Sequence, residues 1–249
     1  FYHYHKAGIN EAGVKDKINE IGARLVNYYY KNSLYAAALY YCKAVYELLW
    51  LESDSNVLNY MGLILQLKGD IDGALKIFLE VEEILNGKVD KNQDDKRWEG
   101  ATLNNISQIY RARGDYESAL KYLLESLKIS KEIGDKKGEG ATLNNIATNY
   151  HARGDYESAL KYLLESLKIR KEIGDKQGEG ATLNNISGIY RARGDYESAL
   201  KYLLESLKIM KEIGDKKGEG VTLNNISGIY RARGDYESAL KYLLESLKI

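Results

Sequence analysis

The segment GATLNNISQIYRARGDYESALKYLLESLKISKEIGDKKGE, Gly100–Glu139, returns as Gly140–Glu179 and Gly180–Glu219, and its first 30 residues return as Gly220–Ile249. The third copy departs from the first only at Gln108/Gly188 and Ser130/Met210, and the fourth from the third only at Val221. A period of this length signals stacked supersecondary units, each burying its apolar face against its neighbours. Within the unit, Leu103, Ile106, Ser107 and Tyr110 fall at i, i+3, i+4 and i+7, one face of a helix. Tyr116, Ala119, Leu120, Leu123, Leu127 and Ile129 form a second helical stripe, so each unit reads as a helical hairpin. The dipeptides Gly114-Asp115 and Gly134-Asp135 stand at the two corners. Glycine supplies the left-handed residue that ends one helix, and aspartate caps the next. The tripeptide Arg113-Gly114-Asp115 therefore marks a turn, although the same three letters on a flexible extracellular loop would suggest an adhesion ligand.

Leu103, Ile106, Ser107, Tyr110, Gly114, Asp115, Tyr116, Ala119, Leu120, Leu123, Ser126 and Leu127 occupy the signature positions of the tetratricopeptide repeat, which this chain resembles. It departs from the common form in its extra length and in carrying Lys131 where a proline usually follows the second helix. The longer unit resembles the repeats of the LGN/Pins scaffold proteins, and ATLNNI resembles the same helix of kinesin light chain. Similar arrays occur as sensor or scaffold regions of bacterial and archaeal NTPases and caspase-like proteins. The resemblance implies an all-α fold, a right-handed α-solenoid of antiparallel hairpins.

Upstream, the pattern weakens. Leu58, Gly62, Leu65, Gly69, Asp70, Ala74, Leu75, Phe78 and Val81 fit the same template. Ile18, Ile21, Leu25 and Tyr28, then Ala37, Tyr41 and Ala44, read as a further hairpin with Asn32 at its corner. We expect a degenerate N-terminal region over 1–54, a degenerate unit over 55–99 with an irregular joint at 86–99, and four close copies over 100–249. All of these are expected in one solenoid of about six hairpins.

Composition excludes several function classes. Lys and Arg number 36, as do Asp and Glu, and the two signs are interleaved rather than gathered into a basic stripe. Nucleic acid is therefore not an expected partner. One cysteine, Cys42, excludes an internal disulfide and a Cys-rich metal site. No long apolar run predicts a membrane span, and the first residues lack the pattern of a signal peptide, so a cytoplasmic location is expected. The start at Phe1 and the stop within a repeat suggest a segment of a longer protein.

The sequence offers no catalytic constellation. The histidines are His3, His5 and His151, without HExxH spacing or a triad. Asp90, Asn92 and Asp94 begin like a calcium loop, but Asp95 stands where glycine is required and Ala101 where glutamate is. GEGATL lacks both the preceding strand and the third glycine of a dinucleotide fingerprint. We expect no enzyme activity, metal or cofactor.

Function is then sought on the helix face opposite the core. At 100° per residue that face of the first helix carries Ala101, Asn105, Gln108 and Ala112, flanked by Asn104 and Arg111. By resemblance, this face lines a concave groove that receives peptides. The asparagines Asn105, Asn145, Asn185 and Asn225, with Asn104, Asn144, Asn184 and Asn224 beside them, then bond a ligand backbone through an amide that both donates and accepts. The second repeat differs in a cluster: Ala147, Thr148, Asn149 and His151. Gly188 and Gly228, in register with Gln108 and Thr148, either leave room for a ligand or reflect drift at solvent-facing positions. Arg111, Arg191 and Arg231, with His151 in register, make either a basic row for acidic peptides or an ordinary solvated face. A peptide or partner domain is the expected ligand. The alternatives are a self-associating array, through the apolar Leu243, Leu244, Leu247 and Ile249, and a regulatory region of a larger NTPase or caspase-like protein.

Overall fold

The computed structural model describes residues 24, 26, 27, 29, 30, 34–49 and 55–249. Among these, eleven helices and no strand are formed: α1 (Tyr35–Leu49), α2 (Ser55–Leu67), α3 (Ile71–Gly87), α4 (Gln93–Ala112), α5 (Tyr116–Glu132), α6 (Lys136–Ala152), α7 (Tyr156–Glu172), α8 (Lys176–Ala192), α9 (Tyr196–Glu212), α10 (Lys216–Ala232) and α11 (Tyr236–Ser246). Ile18, Ile21, Leu25, Tyr28 and Asn32, expected in an N-terminal hairpin, lie outside the described residues, as do His3 and His5. The chain forms two compact units, 1–109 and 110–249.

In the first unit, α1 packs on α2 and α2 on α3. Leu58, Ile77, Val81 and Leu85 form one buried cluster, against which Trp98 packs. Gly62 is required by close approach, since a Cβ there would overlap the Phe78 ring. Cys42 sits in a second cluster with Val26, Ala38, Val57 and Ile64. Burial pushes its thiol pKa up to about 12. The irregular joint expected over 86–99 is shorter than that, because Gln93 onwards is helical. The cause is local capping: the Asn92 side chain accepts from the Asp95 N–H at 2.8 Å, while the Asp95 carboxylate accepts from the Asn92 N–H at 3.2 Å. This reciprocal pair satisfies donors that the first turn of a helix leaves open.

The second unit holds the regular repeats. Every corner follows one recipe: Gly114 and Gly134 adopt φ of +79° and +69°, as do their counterparts in later repeats within a degree. Asp115 accepts from the Ser118 N–H at 3.0 Å and Asp135 from the Gly138 N–H at 2.9 Å. The aspartate of the Arg-Gly-Asp triplet is thus occupied as a helix cap. Tyrosines stack across each hairpin, Tyr150 on Tyr162 at 5.5 Å and Tyr190 on Tyr202 at 5.4 Å. Such offset pairs add to the area they bury.

The GEG segment is a packing notch rather than a phosphate cradle. Glu139, Glu179 and Glu219 are buried. Each is paired to a lysine of its own first turn, Lys136, Lys176 and Lys216, at 2.7, 2.9 and 3.0 Å. A Cβ on Gly178 would run into the Arg170 guanidinium, which bonds Asp175 at 2.6 Å. First helices also touch their counterparts in the next repeat, α6 with α8 and α8 with α10. That contact creates the face on which function is sought.

Candidate functional site

The paired asparagines of the LNN motif do two different things. Nδ2 of Asn184 reaches Ser206 Oγ at 2.7 Å and Thr222 Oγ1 at 2.8 Å, tying α8 to α9 and α10. Asn184 is therefore a joint between repeats, half-buried among hydroxyls that need a polar partner. The second asparagine links along the array: Asn185 Nδ2 donates to Asn144 Oδ1 at 2.9 Å, and Asn225 Nδ2 donates to Asn184 Oδ1 at 3.1 Å. Asn185 and Asn225 thus commit one amide hydrogen each to the fold and keep Oδ1 and the second hydrogen for another partner. Asn224 accepts from the Ser246 hydroxyl at 2.9 Å.

A cavity of about 200 Å³ opens where α6, α8 and α10 meet, and Thr148, His151, Asn184, Asn185, Arg191 and Asn225 are among its lining residues. Six of the sequence-derived candidates are thus brought together in one place. Asn144, Asn145, Asn224 and Arg231 do not line it, and Gln108, Asn104 and Asn105 belong to the first unit. Arg111 lies in the second unit, away from the lining. The apolar part comes from Ala147, Leu163, Leu203, Ile189 and Ile229. Gly188 also lines it, and a Cβ there would meet nothing within 4 Å. In the second repeat this position holds Thr148, whose hydroxyl turns back to donate to the Asn144 carbonyl at 2.9 Å.

His151 packs its ring against Tyr156 with centroids 5.6 Å apart. Burial and the adjacent Arg191 hold its pKa below the ordinary value, so the imidazole is neutral near neutral pH. No group of three or more His, Cys, Asp or Glu among the described residues is placed to hold a metal ion. No helix among them is long and apolar enough to cross a membrane. Leu163 and Leu203 were legible only as core residues; their role as cavity walls depends on how far successive first helices separate.

The model of the tetratricopeptide repeat matches residues 98–172 and 178–249, more than half of the chain. The chain belongs to the tetratricopeptide repeat family. Among curated proteins, none matches it in sequence. Solved tetratricopeptide-type structures resemble it in fold. BtubC (BKLC) from P. vanneervenii superposes with a TM-score of 0.65 at 18% identity, over 96% of this chain and 91% of that one. A Rap protein complexed with competence and sporulation factor gives 0.74 at 17% identity, over 86% and 58%. The STAND protein PH0952 from Pyrococcus horikoshii, with its tetratricopeptide repeat sensor, gives 0.66 at 22% identity, over 92% and 40%.

Proposed function

We propose that this tetratricopeptide array is a non-catalytic protein-interaction module that holds a peptide along the face built by α6, α8 and α10. The observation that carries the reading is the cavity at that face, about 200 Å³ in volume, where Asn185 and Asn225 keep unused amide capacity above an apolar floor. Half-used amides suit a peptide backbone, which needs one donor and one acceptor at a time. A cavity of this size receives one side chain, and the remainder of the peptide lies over the helices. The Rap protein solved with competence and sporulation factor supports a ligand-holding role for such an array. A sensor region within a larger protein, as the description of the STAND protein suggests for that molecule, is one setting for the same function.

The test is selection of binders from a displayed random-peptide library, followed by Gly188→Phe. The position has open space around it, so the phenyl ring fills the cavity without displacing the core. Selected peptides are expected to lose at least about tenfold in affinity, whereas Lys208→Glu, at an exposed site on α9, leaves them unchanged. Peptides indifferent to the phenylalanine would place recognition elsewhere.

A second reading, self-association, has its own observation. Leu240, Leu243 and Leu247 are 55%, 42% and 75% exposed, while Leu200, Leu203 and Leu207 at the same repeat positions are 8%, 1% and 8% exposed. Light scattering over a concentration series decides between a monomer and stacked copies through α11.

A further inference from the structure

The joint between α3 and α4 carries the sole Asn-Gly dipeptide of the chain, Asn86-Gly87. Both residues are exposed and form the last two positions of α3. Lys88, which follows, is already extended at ψ of +123°, so this turn frays ahead of the helix interior. Gly87 has no positive φ, and a Cβ on it would meet nothing within 4 Å, so neither backbone nor packing calls for a glycine there. The Asn86 side-chain oxygen accepts from Lys91 Nζ at 3.3 Å. The same ammonium bonds Glu99 Oε1 at 2.8 Å. Glu99 is 8% exposed and stands one period before the buried Glu139. Glu139 is held by Lys136 of its own helix, whereas Lys91 reaches Glu99 from the joint. Lys88 and Lys96 line the open hollow that Asn86 and Lys91 share.

We propose that Asn86 is a self-modification site, which deamidates through Gly87 and then draws Lys91 away from Glu99. The Gly87 nitrogen, having given its proton to solvent, bonds to Asn86 Cγ. The Cγ–Nδ2 bond breaks, and Nδ2 takes a proton from water and leaves as ammonia. Water then opens the five-membered succinimide at either carbonyl, giving aspartate or isoaspartate at position 86. The balance is one water in and one ammonia out, and no further reactant is needed. An intact helical turn holds the Gly87 nitrogen away from Cγ, so the attack proceeds from the frayed turn. Glycine offers no side chain to obstruct the approach. Lys91 offsets the negative charge that gathers on Oδ1 as Cγ becomes tetrahedral. The lysines around the hollow favour the carboxylate once it has formed.

The consequence lies at Glu99. A neutral amide competes weakly for Lys91, and a carboxylate competes with a full charge. Glu99 then loses part of the compensation that a buried charge requires, and the start of α4 is held less firmly. Hydrolysis is one-way in water, so the joint loosens with the age of the chain.

The experiment incubates the whole chain at physiological temperature and neutral pH and samples it over weeks. Peptide mass mapping reads the conversion of amide to acid, and labelling by an isoaspartate methyltransferase reads the rearranged product. Asn86 is expected to convert at least about tenfold faster than Asn92, which is exposed in the same joint but followed by Gln93. Gly87→Ala slows the conversion at least about fivefold. Lys91→Gln slows it about threefold, and Lys91→Arg restores it. The effect on Glu99 is read by a double-mutant cycle of Lys91→Gln and Glu99→Gln in denaturant unfolding, whose coupling should fall by about half when Asn86→Asp is added. Conversion of Asn86 no faster than that of Asn92, or a rate indifferent to Lys91→Gln, would overturn the assigned site. A coupling that Asn86→Asp leaves unchanged would overturn the release of Glu99.

Discussion

Asn149→Ile is expected to stabilise the protein by about 2–3 kcal/mol. Asn149 is 1% exposed, and it stands where the other repeats place Ile109, Ile189 and Ile229, which are 1%, 2% and 1% exposed. Its Nδ2 donates to the Tyr116 carbonyl at 2.9 Å, but its Oδ1 is buried without a partner. Leaving such an acceptor unmet costs about 1–3 kcal/mol, and losing the Nδ2 bond would cost about 1 kcal/mol. Burying an isoleucine side chain returns about 1.5–3 kcal/mol. The neighbouring Tyr156 and Tyr196 turns form without any side-chain bond of this kind, so the isoleucine has a ready-made site. For a chain of this length the gain corresponds to a rise in Tm of about 5–10 °C. Guanidinium unfolding followed by circular dichroism measures it as a higher midpoint at unchanged slope. If Asn149→Ile is neutral or destabilising, the Oδ1 has a partner that outweighs an apolar side chain, and the reasoning fails. Asn149→Ala separates the two contributions, since it removes the unmet acceptor but leaves a void.

Three further outcomes are open to measurement. Gly188→Ala should stabilise by about 0.5–1 kcal/mol, because the helix interior gains a better helix former and the added methyl meets no atom within 4 Å; a loss of stability in thermal melts would show that the backbone there is not an unstrained helix. Cys42 should resist thiol alkylation in the folded protein, because the thiol is buried with its pKa pushed up to about 12; its labelling rate across a denaturant series should track unfolding of the first unit, and rapid labelling without denaturant would contradict the packing. Asp115 is held below its ordinary pKa by the Ser118 hydroxyl and N–H, and Asp155 by the Ser158 N–H and hydroxyl. A depressed folded pKa means stability that is complete above the unfolded value near pH 4 and is lost as pH falls through the folded one. Changing Asp115, Asp155, Asp195 and Asp235 together to asparagine should therefore flatten the acid side of the stability profile below about pH 4, and an unchanged profile would remove the caps from the account of acid unfolding.

The helices of the regular repeats and their corners were legible because the signals are local. A glycine forced to φ near +70° to +80° and an aspartate three residues before the donor it caps act within one turn, so spacing alone exposes them. The stretch after Asn92 reads as an irregular joint in the sequence, although the helix begins at Gln93. Its polar residues resemble a loop, and the capping pair between Asn92 and Asp95 that converts them into a helix start depends on both side chains folding back together.

The site was legible in half. A helical wheel places Asn184 and Asn185 beside each other on one face, and it sees neighbours along a single helix only. The bonds that distinguish them run to residues 38 and 41 positions away. Repetition also hides what it multiplies. Four near-identical units predict four equivalent surfaces, yet the residues that individualise the cavity are departures from the pattern: Thr148 and His151 on one wall, Gly188 opposite. His151 would be an unremarked surface residue in an unrepeated chain. Set against three arginines in the same register, it is a departure that the period itself exposes, and it stands beside Arg191 in the lining of the cavity.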